Sequence, residues 1–211
     1  RDCLLSRGLG DVYKRQVLHQ GGSIKVGHQQ ITVEGADEAT VFYTVDTEYS
    51  PVYPLYKGEK PRQTTEKIIK SAITKGYETV KHTHISDYQT LYNRVKFTLS
   101  GDTASEKLPT DIRVKQLQQG FTDDASLKVL WFNLSRYLLI SASRPGTLPS
   151  NLQGVWNTFE KAPWNGNFQS NINLQEMYWG CGPTQLPECE EAYLCLLYTS
   201  PSPRDKRQSR M

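Results

Sequence analysis

Residues 143–180 read SRPGTLPSNLQGVWNTFEKAPWNGNFQSNINLQEMYWG, and the rest of the 211-residue chain is organised around them. The stretch holds three of the four tryptophans, Trp156, Trp164 and Trp179, and six asparagines, of which Asn171 and Asn173 are spaced two apart. Pro145, Gly146, Pro149 and Gly154 punctuate its start, and no helical or strand period persists between Ser143 and Ser170. A loop of that length inside a compact domain is either functional or disordered. Disordered segments are poor in aromatics, so an ordered loop is expected here. Tryptophan faces stack on the C–H face of a sugar ring, and amide side chains both donate to and accept from its hydroxyls. The plainer use of the same residues is a loop whose tryptophans simply pack.

Outward from the loop, the chain turns periodic. Residues Asp124–Ser141 carry the strongest helical pattern, with Leu127, Leu130, Leu134, Tyr137, Leu138 and Ser141 in one stripe. Val129, Phe132 and Ile140 widen that stripe nearly all round, which predicts a buried helix. On the other side, Pro187 opens a helix with Glu188, Glu190 and Glu191 in its first turn, where carboxylates favour the helix dipole. Upstream, Thr110 is the expected N-cap of a helix, and Val95–Leu99 reads as a short strand. Thr65 is the expected cap of a helix that presents Ile68, Ile69, Ala72 and Ile73 and ends at Gly76. A second helix from Tyr77 follows, with Val80, His84, Ile85, Tyr88, Leu91 and Tyr92 at helical spacing. His82 and His84, two apart on a helix, point in different directions, so no metal pair is expected and His84 should pack. Residues 50–63 form a Pro- and Gly-rich connector, while Ser23–Val26, Gln30–Glu34 and Ala39–Val45 alternate as strands.

Three matches in chain order give this pattern a likeness. They are RYLLISASRPGTLPSNLQGVWN at 136–157, the Pro163–Trp164 step and NINLQEMYW at 171–179, with GADEATVFYTVDTEY at 35–49 and HISDYQTLYNRV at 84–95 upstream. Together they resemble glycoside hydrolase family 95, the inverting exo-α-L-fucosidases, a few of which act on α-L-galactosides. The resemblance spans roughly residues 20–194. It implies an α+β multidomain fragment: the end of a β-sandwich over 17–50, a helical linker over 51–122, and the first helices of an (α/α)6 barrel over 123–197. It also implies a fucosylated oligosaccharide or glycan as partner, no cofactor, and a periplasmic or secreted location.

Inverting glycoside hydrolysis uses two carboxyl groups, one protonating the leaving oxygen and one activating water. Amides do not titrate near neutral pH, so Asn171 and Asn173 cannot take either part alone. The resemblance implies that this pair positions the attacking water, that an Asp further along activates it through Asn, and that a later Glu is the general acid. Both carboxylates are expected beyond residue 194. Trp156, Trp164 and Gln169 are the expected sugar-binding residues; Gln169 stands where relatives commonly carry Thr or His, which bears on fucose against galactose. Glu176 stands where relatives carry a neutral or apolar residue, and a solvated or capping role is expected for it. A non-catalytic glycan-binding protein on the same scaffold is the alternative.

The two ends differ from the middle. Residues 1–16 and 195–211 both contain Cys-Leu-Leu and lack a period, so 1–16 and 198–211 are expected to be non-native and outside the fold. They carry net charges of +2 and +3 within a total of +3, which leaves −2 for residues 17–194. No basic nucleic-acid-binding surface is therefore indicated. Cys181 and Cys189 show no metal-ligand spacing and read as buried thiols. No apolar run is long enough to span a bilayer, and no GxGxxG, P-loop or GxSxG pattern occurs.

Overall fold

A computed structural model describes residues 2–6, 12–27, 30–50, 55, 57–101, 104–120, 123–159 and 161–199, with the side chains of 2–6, 12 and 199 excepted. It is a mixed α and β structure with two small sheets and six α-helices among the described residues. The chain divides into two compact units, Arg1–Ile85 and Ser86–Met211.

In the first unit, β1 (Asp2–Ser6), β2 (Val12–Gln20) and β5 (Glu38–Asp46) form an antiparallel sheet in the order β1-β2-β5. Tyr13 lies opposite Val45, and Gln20 lies opposite Glu38. Between β2 and β5 the chain makes a separate hairpin, β3 (Ser23–Val26) with β4 (Ile31–Glu34). The turn into it needs glycine: Gly22 has φ 63°, and a Cβ there would stand 2.2 Å from the Glu34 carbonyl oxygen. Helix α1 (Pro61–Lys75) packs on β2 and β5, burying Thr65 and Ile69. On β5, half-buried Thr40, Phe42 and Thr44 alternate with exposed Val41, Tyr43 and Val45.

Three expectations are corrected in this unit. Within the expected non-native end, residues 2–6 and 12–16 pair in the sheet as β1 and the start of β2. Lys14 is buried, with its Nζ 3.8 Å from Glu66 Oε1 of α1. Ladder hydrogen bonds join backbone groups, so a segment without side-chain alternation still pairs when a neighbour is in register. Thr65 is not a cap: α1 begins four residues earlier, with Pro61 at its first turn, and Thr65 Oγ1 donates to the Arg62 carbonyl at 3.1 Å. The helix does end at Gly76, whose φ is 76° and whose N–H reaches the Ala72 and Ile73 carbonyls. His84 is exposed on α2 (Tyr77–Tyr92) rather than packed.

The division between units falls within α2 and within the expected 51–122 linker: α1 goes with the sheet, and the chain from Ser86 goes with the helices. The second unit contains α3 (Thr110–Gln118), α4 (Ala125–Ala142), α5 (Asn173–Tyr178) and α6 (Pro187–Thr199). Leu91, Ile140, Leu174, Tyr178, Cys181, Leu186, Cys189 and Tyr193 form its core, with Phe168 and Met177 packed against them. Arg136 of α4 is buried and donates to the Tyr92 carbonyl at 2.7 Å and the Leu91 carbonyl at 3.1 Å, satisfying the open end of α2. Asp124 caps α4 by accepting from the Leu127 N–H at 2.9 Å, and Arg113 of α3 grips the same carboxylate through Nε and Nη2 at 2.8 and 2.9 Å. That guanidinium holds the Asp124 carboxyl well below the usual carboxylate range.

Here too the structure departs from expectation. Helix α3 has Pro109, not Thr110, at its cap position, and no side chain bonds there. Residues 95–99 are not a strand; Phe97 packs on the Phe132 ring at 4.8 Å, and alternation makes a strand only where a backbone partner exists. Helix α4 is not buried all round. Leu127, Arg136 and Ile140 are buried, but Leu130, Trp131, Leu134 and Tyr137 are exposed, because neighbours among the described residues cover one side of it. Helix α6 runs past the expected boundary at 197 to Thr199, and the expected tail from residue 200 onward lies outside the described residues. Among the described residues no helix is long and apolar enough to cross a membrane.

Candidate active site

The described residues of 150–172 hold no α-helix or strand, α5 follows at Asn173, and the stretch is pinned from below. Leu174 and Tyr178 are buried and turn α5 toward the core, and Phe168 packs on the same core. Trp164, before these anchors, is 71% exposed, and Asn171 and Asn173, between Phe168 and Leu174, are exposed. The chain reaches this arrangement through left-handed backbone at non-glycine residues, with φ 49° at Trp164, 57° at Asn165 and 48° at Gln169. Such residues cost roughly 1–3 kcal/mol each and persist where surrounding contacts over-determine them.

Those contacts are visible. Gln153 Nε2 donates to the Pro163 carbonyl at 3.1 Å, and the Leu152 N–H reaches the Asn167 carbonyl at 3.5 Å, which clamps 151–154 to 163–167. The Leu174 N–H donates to the Gln169 carbonyl at 3.3 Å, closing the turn that carries Asn171. Gln175 Nε2 donates to the Ser170 carbonyl at 2.6 Å. Gln169 itself donates from Nε2 to Asn167 Oδ1 at 2.7 Å.

Beneath the loop, Tyr178 is a hub. Its hydroxyl accepts from the Ser150 N–H at 2.8 Å and lies 2.7 Å from Ser143 Oγ, which in turn lies 2.7 Å from the Cys189 carbonyl oxygen. A carbonyl only accepts, so Ser143 donates to Cys189 and the Tyr178 hydroxyl donates to Ser143. Burial pushes the Tyr178 phenol above its ordinary pKa and pushes the Cys181 thiol up to about 12.

Of the five residues singled out in the sequence, Trp164, Gln169, Asn171 and Asn173 fall on one short run ending at the first turn of α5. Trp156 lies apart from them in the chain, stacked on Tyr137 of α4 with ring centroids 6.4 Å apart. It walls an open hollow of about 290 Å³ with Leu138, Leu139 and Met177, to which neither asparagine contributes. Gly154 makes room for that ring: its φ is 61°, and a Cβ there would meet Trp156 Cδ1 at 3.0 Å. Glu176 is exposed on α5, three residues after Asn173. Among the described residues no carboxylate hydrogen-bonds either asparagine. The largest share of the support came from residues the sequence did not single out, namely Gln153, Gln175 and Tyr178. The trace of the first two in the sequence is a repeated Asn-Leu-Gln step, at 151–153 and 173–175.

Residues 76–211 match the model of the glycosyl hydrolase family 95 catalytic domain. Alpha-L-fucosidase 2 of Arabidopsis thaliana is 37% identical over 179 residues, covering 82% of this chain and 21% of the relative. Probable alpha-fucosidase A of Aspergillus niger is 35% identical over 75% of this chain and 20% of the relative. Its namesake in Aspergillus oryzae is 36% identical over 69% of this chain, again 20% of the relative. The chain thus spans about a fifth of the length of the curated relatives it matches.

Proposed function

The chain belongs to glycosyl hydrolase family 95, and from that premise we propose that the whole protein hydrolyses terminal α-L-fucose, chiefly α-1,2-linked, from glycans with inversion at the anomeric carbon. Asn171 and Asn173 hold the attacking water through their amide oxygens. A carboxylate elsewhere in the whole protein polarises that pair and takes the water's proton, and a second protonates the leaving oxygen. Trp164 and Trp156 offer ring faces to the sugar, and Gln169 offers an amide to its hydroxyls.

The observation that carries this reading is the alternation of anchors and outward groups over 164–178. Phe168, Leu174 and Tyr178 are packed into the core, while Trp164, Asn171 and Asn173 are exposed, Trp164 on left-handed backbone.

Water positioning matters mainly in the transition state, so its loss appears in kcat. In the full-length enzyme, Asn171→Ala or Asn173→Ala should lower kcat by about 10²-fold or more, with little change in KM. The assay is fucose release from a 2′-fucosylated oligosaccharide, with β-L-fucose appearing first by NMR. Full kcat without Asn173, or release of the α-anomer first, would overturn the reading.

A further inference from the structure

Two turns carry the outward residues, and each is tied down by one glutamine in the same way. Gln153 Nε2 donates to the carbonyl of Pro163, and Gln175 Nε2 donates to the carbonyl of Ser170. Each of those carbonyls belongs to the peptide group that leads directly into an outward residue, Trp164 in one case and Asn171 in the other. A peptide unit is planar, so holding its oxygen fixes where the next Cα and its side chain start. Only the NH2 end of an amide can face a carbonyl, so the orientation of both glutamines is determined. Their Oε1 atoms are consequently buried, and neither has a hydrogen-bond partner among the described residues. Side chains placed by solvation alone would turn those acceptors to water. The arrangement keeps the donor on the turn at the expense of the acceptor.

We propose that Gln175 is a positioning residue for the Asn171–Asn173 pair, acting through the Ser170 carbonyl, and that Gln153 does the same for Trp164 through the Pro163 carbonyl. The proposal rests on the reading of the two asparagines as the water-holding pair, and it assigns the glutamines different kinetic consequences. Gln175 governs a group that acts in the transition state; Gln153 governs a ring that binds sugar equally in ground and transition states.

The test uses the full-length enzyme with Gln175→Met and Gln153→Met, which keep length but cannot donate. Gln175→Met should lower kcat by about 10-fold or more with KM within about 3-fold, and Gln153→Met should raise KM with kcat within about 3-fold. In an Asn173→Ala background, Gln175→Met should add less than about 2-fold, because residues acting through one another are not additive. An equal loss of kcat in both backgrounds would mean general destabilisation and would overturn the proposal. Asn173→Ala alone separates the two layers. If it keeps full kcat, the functional reading fails; if it is slow while Gln175→Met is normal, only the positioning role fails. Gln175→Glu carries the test should the methionine variant not fold. A carboxylate cannot donate to Ser170, but its protonated form can. Its kcat relative to the unsubstituted enzyme should therefore rise between about pH 7 and about pH 5, and a flat ratio would overturn the assignment.

Discussion

Helices α4 and α5 invert what their sequences lead one to expect. Helix α4 is 18 residues long and apolar nearly all round, yet it leaves Leu130, Trp131, Leu134 and Tyr137 between 41% and 64% exposed. Helix α5 is six residues long and reads NLQEMY, yet Leu174 and Tyr178 are essentially inaccessible, at 0% and 2%. Apolarity measures what a helix can bury; placement decides what it does bury. The short helix matters more to the core because it arrives between α4 and α6 with a leucine and a tyrosine aimed inward.

The first way to break this contrast is at the N-terminus of α4. The side chains of Arg113 and Asp124 are 8% and 1% exposed, so Asp124→Ala leaves a buried guanidinium unpaired and removes the cap. It should cost about 3–5 kcal/mol in urea unfolding of the 211-residue chain. The folded pKa of Asp124 is depressed, so its stabilisation is present above the unfolded carboxylate value and lost as pH falls through the folded one. Glu188, held near pKa about 2 by Arg94, behaves alike. Acid destabilisation should therefore begin below about pH 4, and Asp124→Ala should flatten that limb. A loss below about 1 kcal/mol would mean the pair is solvated.

Next comes Leu174→Ala, which opens a cavity in the core and should cost about 2–5 kcal/mol by the same measurement. Leu134→Ala in the 211-residue chain should cost less than about 1 kcal/mol, since half of that side chain already meets solvent. Equal losses for the two leucines would erase the contrast. The Leu134 substitution also sharpens it: a cost of about 2–5 kcal/mol in the full-length enzyme would show that other parts of the protein cover this stripe of α4.

Local periodicity made much of the fold legible. Ser23–Val26 and Ile31–Glu34 alternate, Gly76 stops α1, Tyr77 starts α2, and the pattern from Asp124 to Ser141 becomes α4, each a signal contained within the local sequence. Strand β2 was hidden because Lys14, Arg15 and Gln16 break the alternation while the backbone pairs regardless. The exposed face of α4 was hidden because a pattern says which residues are apolar and not which neighbours are present. In the candidate site, the motif drew attention to Trp164, Gln169, Asn171 and Asn173. Their supports were out of reach, since Gln153 to Pro163, Gln175 to Ser170 and Tyr178 to Ser150 join a side chain to a distant backbone group. Such bonds have no period.

The Tyr178 hub has a consequence in time. The Ser150 N–H sits in a loop without regular structure, where amides ordinarily trade hydrogen with solvent quickly. Here it donates to a buried phenol whose own hydrogen is already committed to Ser143, and Ser143's to Cys189. Releasing that amide means drawing the loop away from a hydroxyl that the Tyr178–Ser143–Cys189 chain holds in the core, an opening larger than the fraying of an exposed turn. One amide of the loop therefore keeps the clock of the core beneath it.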